Sequence, residues 1–325
     1  MRPTVRMFLL AVFMAGIPIS QSQAADPLPS WNEGAAKRAI VSFVQKVTQP
    51  GKDYVRPEER IATFDNDGTL WVEQPLYFQF IFMLGQVKAA APKHPEWKEN
   101  PAFQAIEKND YQALAAMGHK PVLELLAAAN TGMSTEVYEK TVRTWIDTAK
   151  DPRFKKLYKD LTYRPMKELM AYLRANGFKT FIVSGGGVEF MRPWTEAAYG
   201  IPPEQVVGSS VVLKYEVQNG KPVLLREPKI FFIDDKDGKP VGIQQFIGRR
   251  PIAAFGNSDG DQQMLEWTAA GPGPSLMMLV HHDDAEREYA YDRQSKIGTL
   301  DKAWDEALAR GWTVISMRRD WNRIF

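Results

Sequence analysis

Three short segments of this 325-residue chain place acidic, hydroxyl or glycine residues directly after an apolar run. The first has Asp65 and Asp67 two residues apart, followed by Gly68, after the apolar residues 61–64. Two carboxylates this close repel each other unless a cation neutralises them, and a hard cation such as Mg²⁺ prefers oxygen ligands. The spacing therefore predicts that Asp65 and Asp67 project into one crevice and bind Mg²⁺.

The second segment could bind an anion. It follows the predicted strand 179–183, whose last three residues are apolar, and consists of Ser184, Gly185, Gly186 and a further glycine. Exposed amide groups of consecutive glycines can form an anion-binding nest that leads into a helix N-terminus. The serine hydroxyl adds a further hydrogen-bonding group beside this nest.

The third segment supplies more oxygen ligands. Asn257, Asp259 and Asp261 follow the apolar residues 251–255. Lys239 lies between the second and third segments and is a candidate cation for holding phosphate charge. Each segment alone is a weak signal, but their order along the chain makes a chance assembly implausible.

The elements around these segments alternate between strand and helix patterns. This alternation predicts an α/β fold with a parallel sheet and a helical insertion after its first strand. In such sheets ligands bind beyond the carboxyl ends of the strands, where all three segments lie. The predicted division is an α/β core over 25–73 and 160–325, with a helical cap domain over 74–159.

The individual elements follow from periodicity and turn signals. Ser30 and Ser134 are predicted N-caps. The His281–Asp284 cluster is predicted to have a capping and surface role at the start of a helix, rather than a metal-binding one. Helices are predicted over 30–48, 76–87, 103–117, 122–129, 134–149, 165–175, 188–199, 262–269 and 285–291, and strands over 61–64, 179–183, 211–217, 222–225, 251–255 and 275–280, with Asn219-Gly220 as a hairpin turn.

Composition and the N-terminus predict an exported protein. Arg2 and Arg6 precede an apolar run and a small-residue segment, the pattern of a signal peptide over 1–24 with cleavage near Ala24 or Ala25. An uncleaved membrane anchor is the alternative. Cleavage leaves 39 basic and 39 acidic residues, which gives no reason to expect nucleic-acid binding. With no cysteine, thiolate catalysis and cysteine-ligated metals are excluded. We expect a periplasmic or secreted protein without a stable membrane anchor, and the sequence leaves its oligomeric state open.

The three segments together resemble the motifs of the haloacid dehalogenase-like superfamily. The resemblance covers about residues 55–285 and is closest to phosphatases with a helical cap after the first motif, the phosphoserine phosphatase-like branch. Its most specific part is the Asp-x-Asp-Gly-Thr-Leu motif that begins at Asp65. The resemblance implies a Rossmann-like core. It also implies that Asp65 attacks phosphorus to form an aspartyl-phosphate and that Asp67 acts as general acid and base.

The resemblance assigns roles to further residues. Ser184 would bind the transferring phosphoryl group, and the lysine of the third motif falls on Lys239, with Lys236 as the alternative. Thr69 and the glycines Gly185 and Gly186 would contribute to substrate binding.

The fourth motif departs from the family pattern. Asn257 stands where the first aspartate usually lies. The Mg²⁺ ligands implied by the resemblance are then Asp65, Asp67 and Asn257 with Asp261 in support, or Asp259 in place of Asn257.

These assignments predict a Mg²⁺-dependent phosphomonoester hydrolase acting on a small phosphorylated metabolite. The presence of Asp67 favours a phosphatase over the dehalogenase branch, which lacks this second aspartate. Glu73 is a candidate for binding a substrate amine, as in a phosphoserine-like substrate, and the aromatic residues after Leu70 could instead enclose phosphocholine. A phosphotransferase of the same fold and a non-catalytic exported binding protein are the alternatives.

Overall fold

The computed structural model describes residues 26–117, 119–130 and 132–325. The predicted signal peptide lies outside these residues. The described chain forms one mainly parallel sheet with helices packed on it, which confirms the predicted α/β class. The order of the strands across the sheet is β4-β3-β2-β1-β5-β6-β7, and β8 also pairs with β6. The strands are β1 (Ile61–Phe64), β2 (Lys179–Gly187), β3 (Val206–Gln218), β4 (Lys221–Phe232), β5 (Ala253–Gly256), β6 (Leu276–Asp283), β7 (Ala290–Tyr291) and β8 (Thr313–Ser316).

The first strand lies at the centre of the sheet, and all four of its residues are buried there. It pairs in parallel with β2 on one side and with β5 on the other. Phe64 is level with Ile182 and with Phe255. The residues after these three positions therefore emerge at the same edge of the sheet, as the sequence predicted.

Helices cover both faces of the sheet and form the insertion after β1. No helix of the described ranges has the length and apolar character needed to cross a membrane. The helices are α1 (Ala35–Thr48), α2 (Phe78–Ala90), α3 (Pro101–Lys108), α4 (Tyr111–Met117), α5 (His119–Asn130), α6 (Thr135–Thr148), α7 (Arg164–Ala175), α8 (Val188–Tyr199), α9 (Gly238–Gly242), α10 (Gln262–Ala269), α11 (Lys302–Arg310) and α12 (Met317–Asp320).

The predicted helical insertion is present between β1 and α7. It contains a small hydrophobic core of its own, which includes Val87, Phe103 and Ile106. Its helices α2 and α6 also pack on the main core through Phe82 and Val142. The exact cap boundaries at residues 74 and 159 stay a prediction.

A long hairpin extends from the edge of the sheet. Asn219 and Gly220 both have positive φ (51° and 75°), the conformation that a tight Asn-Gly hairpin turn requires. The pairing of β3 with β4 continues from Gln218 and Lys221 to Ser210 and Phe232. Both strands are longer than predicted, and the turn lies where predicted.

Two predicted helix boundaries are wrong for identifiable reasons. Ser30 does not cap the first helix, which begins at Ala35 with Gly34 at its N-cap. The Ser30 hydroxyl instead donates to Glu168 of α7 at 2.7 Å. The predicted helix over 103–117 is two helices, because Asn109 adopts a left-handed conformation (φ 56°) that ends α3. The predicted N-cap Ser134 is confirmed, since its hydroxyl accepts from the Val137 amide.

The predicted helix over 285–291 is absent. Strand β6 continues to Asp283 because pairing with β8 reaches His281 and its last two residues pair with β7. The residues after it therefore begin as a strand end rather than as a helix N-terminus. Asp284 then accepts from the Arg287 amide in a turn, and Ala290–Tyr291 returns as β7 against β6. The sequence patterns did not identify α11 and β8, which follow this turn.

The aromatic stack between the two central strands offers a test of the core. The rings of Phe64 and Phe255 are stacked with centroids 4.4 Å apart, and both side chains are fully buried. We expect Phe255→Ala to lower the free energy of unfolding by about 3–5 kcal/mol, because it leaves a cavity at the sheet centre. Denaturant unfolding measures this loss. The control Tyr215→Ala, at an exposed hairpin position, should change stability by less than about 0.5 kcal/mol. Equal losses in the two variants would contradict the assignment.

Candidate active site

The ends of β1, β2 and β5 enclose a cavity of about 390 Å³, here called the catalytic cavity. Its wall brings together residues from all parts of the predicted site. The predicted site residues that line it are Asp65, Asp67, Glu73, Ser184, Gly185, Gly186 and Lys239.

Lys239 connects these strand ends. Its ammonium group donates to Asp65 at 2.7 Å, to Asp261 at 2.5 Å and to the carbonyl of Val183 at 2.9 Å. The Lys239 side chain is 2% exposed. Its three donors are thus all used by partners from three neighbouring strand ends, which fixes Asp65 in position. Lys236, the alternative third-motif lysine, is exposed.

The site carries more negative charge than this lysine can neutralise. Burial and repulsion from Asp261 raise the pKa of Asp65 to about 8, although Lys239 acts in the opposite direction. Burial raises the pKa of Asp67 to about 6 and that of Glu73 well above its ordinary value. Burial alone lowers the pKa of Lys239, but the carboxylates of Asp261 and Asp65 outweigh it and the net shift is upward. A further cation would lower the cost of ionising this carboxylate cluster.

Asp67 is held by a buried tryptophan. The indole nitrogen of Trp71 donates to Asp67 at 2.8 Å, and the Trp71 side chain is fully buried against Trp194, with ring centroids 4.4 Å apart. Gly68, with φ 73°, lets the loop turn back so that its amide donates to the Trp71 carbonyl. The loop therefore holds one oxygen of Asp67 against the Trp71 indole, beside the catalytic cavity.

The glycine segment, which forms the last residues of β2, is joined to the helical insertion. The Ser184 hydroxyl accepts from the Gly186 amide at 3.2 Å, and the Gly187 amide donates to Gln79 of α2 at 2.7 Å. A Cβ at position 187 would lie 2.6 Å from the Gln79 amide nitrogen, so a larger residue there would displace the end of the Gln79 side chain. Sequence reasoning missed Gln79, because a glutamine on an aromatic-rich helix carries no distinctive signal.

Asn257 and Glu73 form a buried pair. The Asn257 amide nitrogen donates to Glu73 at 2.7 Å, and the Tyr291 hydroxyl donates to the same Glu73 oxygen at 2.8 Å. The Asn257 oxygen accepts from Thr69 at 3.1 Å. Thr69 is fully buried and faces Asn257, whereas it was predicted to contribute to substrate binding. Glu73 thus contacts Asn257, a candidate metal ligand.

The two aspartates of the fourth motif have different surroundings. Asp261 uses one oxygen for Lys239 and the other for the amides of Asn257 and Ser258. Asp261 therefore supports the loop, and its predicted supporting role at a Mg²⁺ site stays a prediction. Asp259 accepts from the amides of Asp301 and Ala303 at the start of α11. Both hydrogen bonds tie Asp259 to the start of α11, and Asp259 does not line the catalytic cavity.

His282 is buried next to the site. The sequence predicted a surface role for it, and that prediction is wrong. Its ring nitrogens face the Gly68 carbonyl at 2.8 Å and the Glu288 carboxylate at 3.0 Å. Glu288 is fully buried and also accepts from Tyr163 at 3.3 Å. His282 thereby anchors the loop that carries Asp65 and Asp67. His282 lies near the end of β6, where buried and less buried side chains alternate, so a strand predicted as far as residue 283 would have placed it on the buried face.

The donor set fits a hard cation such as Mg²⁺. Within the residues that the structure describes, no three histidine or acidic side chains form a metal-binding group. Asp65 is a buried and Asp67 a half-buried carboxylate of the catalytic cavity. Asn257 lies outside the lining of this cavity, and its amide oxygen accepts from the Thr69 hydroxyl. Two carboxylates with a neutral oxygen ligand suit Mg²⁺, which keeps several waters when it binds proteins.

Comparisons with known proteins agree with this architecture. The sequence profile of the haloacid dehalogenase-like hydrolases matches residues 62–266, and no curated protein matches the chain. A conserved protein of unknown function from Anaerococcus prevotii is similar in structure, with a TM-score of 0.50, 16% identity and coverage of 76% of this chain and 85% of that one. A protein of unknown function from Bordetella pertussis has a TM-score of 0.48 and 16% identity, with coverage of 79% of this chain and 98% of that one. A probable phosphoserine phosphatase from Vibrio cholerae has a TM-score of 0.38 and 15% identity, with coverage of 83% of this chain and 69% of that one.

The profile match covers most of the chain, including all three strand ends. The chain belongs to the haloacid dehalogenase-like hydrolase family. The resemblance predicted from the motif at Asp65 is thus confirmed at the level of the family.

The lysine at the centre of the site can be tested through stability. We expect Lys239→Met to lower the free energy of unfolding by about 3–5 kcal/mol in metal-free buffer, because it leaves the Asp65 and Asp261 carboxylates buried without their cation. Denaturant unfolding with a chelator present measures the loss. Lys236→Met removes the same charge from an exposed position three residues away and should cost much less. The opposite ranking would favour Lys236 as the lysine of the third motif.

Proposed function

We propose that this hydrolase is a Mg²⁺-dependent phosphatase that cleaves phosphomonoesters through an aspartyl-phosphate on Asp65. The observation that carries the proposal is the position of Asp65. Lys239 binds one of its oxygens, and the rest of the group lines a cavity shared with Ser184, the glycine amides and Asp67. A nucleophile, an anion-binding nest and an acid then face one small space.

In the first half-reaction, an Asp65 oxygen forms a bond to phosphorus while the bond from phosphorus to the leaving alcohol oxygen breaks. The Ser184 hydroxyl and the amides of Gly185 and Gly186 hold the phosphoryl oxygens. Asp67 donates its proton to the leaving oxygen. A pKa near 6 suits this role, because a catalytic acid works best when its pKa is close to the working pH.

In the second half-reaction, Asp67 takes a proton from water as that water attacks phosphorus. The bond between phosphorus and Asp65 breaks, inorganic phosphate is released and Asp65 is regenerated as a carboxylate. The same residue thus serves as acid and then as base. Trp71 keeps Asp67 oriented in both steps through its indole hydrogen bond.

Asp65, Asp67 and Asn257 would hold the metal, and Asp261 would position the Asn257 loop. When bound, Mg²⁺ screens the phosphate charge from the attacking carboxylate. The excess of buried carboxylates over Lys239 supports this assignment. Glu73 places a carboxyl group next to Asn257, which lacks the carboxylate usual at that position.

The proposed setting is the periplasm or the exterior of the cell, as the predicted signal peptide indicates. The substrate is a small phosphorylated metabolite, for which phosphoserine-like and phosphocholine-like molecules are the first candidates from sequence. Glu73 lines the catalytic cavity and is the residue proposed to meet a substrate amine.

The nucleophile is tested by phosphate release from an aryl phosphomonoester. We expect Asp65→Asn to lower kcat/KM by more than about a thousandfold, because the amide cannot form the acyl-phosphate. Asp237→Asn makes the same change at an exposed position and should retain activity. Chelation of Mg²⁺ should abolish turnover of the wild-type protein and its re-addition should restore it. Undiminished activity of the Asp65 variant would show that another residue is the nucleophile.

The role of Asn257 is tested by metal-dependent melting. In chelator, Asn257→Asp should lower the free energy of unfolding by about 1–3 kcal/mol, because it replaces the hydrogen bond to Glu73 with a contact between two acids. Adding Mg²⁺ should raise Tm more for this variant than for the wild type, since its site has one more carboxylate. Asn219→Asp, at the hairpin turn, is the matched control. A smaller Mg²⁺-induced rise in the Asn257 variant would argue against ligation at this position.

A further inference from the structure

A second and larger cavity adjoins the catalytic cavity. It has a volume of about 870 Å³ and lies between the helical insertion, α8 and the β3–β4 hairpin. The two cavities share Gln79, Met83, Gly185 and Ile233 in their walls. A ligand that starts at the glycine nest can therefore continue into the larger space.

The larger cavity is mainly apolar and is here called the apolar chamber. Two of its wall residues, Ile230 and Ile233, are 64% and 56% exposed, an unusual exposure for isoleucine. Contiguous exposed apolar side chains often mark a binding surface. The apolar wall consists mainly of Met83, Leu126, Tyr138, Phe190, Ile230 and Phe232.

The charged residues of the apolar chamber do not form an obvious second anion site. The Arg226 guanidinium donates to Glu189 at 2.7 Å and lies over the Tyr138 ring at 3.7 Å from its centroid. Its charge is thereby matched inside the wall. Glu124 and Lys229 are exposed residues of the same wall.

Both cavities, of about 390 Å³ and 870 Å³, have the size of ligand pockets, which range from about 300 to 1,000 Å³. The polar groups that could bind a phosphate line the smaller one, and the larger one adds a mainly apolar space beside it. A small zwitterion would leave the apolar chamber filled only with water. An alcohol with an extended apolar group would fill it and remove that apolar surface from water.

We infer that the apolar chamber binds the leaving group of the substrate, and that the substrate is a phosphomonoester of an alcohol with an extended apolar chain. This inference rests on the proposed phosphatase function, and it replaces the phosphoserine-like and phosphocholine-like candidates that the sequence suggested. The phosphate binds at Ser184 and the glycine amides, and the chain passes Met83 and Ile233 into the chamber.

The test is the binding of alkylphosphonates, which carry a phosphate-like head but cannot be hydrolysed. Calorimetry gives Kd for the two-carbon to eight-carbon members in the presence of Mg²⁺. We expect Kd to fall with chain length, by up to about fourfold for each buried methylene, until the chamber is filled. Turnover of the matching alkyl phosphates, compared with phosphoserine and phosphocholine, should follow the same order in kcat/KM.

A pair of hairpin variants locates the effect. Ile230→Glu places a carboxylate in the chamber wall and should remove most of the affinity gain from two to eight carbons. Val217→Glu introduces the same group on the same hairpin at 61% exposure, away from the wall, and should keep the gain. Equal gains in both variants would mean that the chain binds elsewhere.

Two failures can be distinguished. Phosphonate affinities that do not depend on chain length, or a preference for phosphoserine or phosphocholine over octyl phosphate, would overturn the inference and leave the phosphatase intact. Release of no phosphate from the aryl ester would overturn the proposed function, and the phosphonate series would still decide whether the apolar chamber binds alkyl chains.

Discussion

The buried ammonium group of Lys239 is the interaction on which the site depends. It joins Asp65, Asp261 and the carbonyl of Val183, so that the ends of three neighbouring strands share one cation. Breaking a buried ion pair on one side leaves an uncompensated charge, which is far more costly than losing a surface pair. The same group therefore holds the sheet edge together and fixes the orientation of the proposed nucleophile.

The described parts of the chain divide the work between chemistry and selectivity. The reacting groups lie after β1, in the last residues of β2 and after β5, where parallel pairing fixes the spacing of the strands. The walls that a leaving group would contact come instead from the helical insertion and the β3–β4 hairpin. Gln79 joins these two parts through its bond to the Gly187 amide. The insertion is thus positioned relative to the glycine nest by a direct hydrogen bond.

Sequence predicted the features that depend on local pattern. Buried four-residue runs, the Asn-Gly turn and α8 and α10 could be identified because periodicity and turn chemistry act over a few residues. His282 and Gln79 could not, because their partners are distant: 214 residues separate His282 from Gly68 and 108 separate Gly187 from Gln79. The helix predicted over 285–291 is absent because Ala290–Tyr291 pairs with the end of β6 as β7, which its local helical pattern did not indicate. The apolar chamber likewise exists only once distant segments pack together.

The separation of the paired residues along the chain has a consequence for folding. Lys239 and Asp65 are 174 residues apart, and Thr69 and Asn257 are 188 apart. Contacts of such long range form slowly, because loop-closure entropy must be lost before they contribute. During synthesis, the acidic loop after β1 leaves the ribosome long before its lysine does. Catalytic competence is then a property of the completed sheet, and recovery of activity during refolding would report the docking of Lys239 and of the loop after β5 onto the acidic loop.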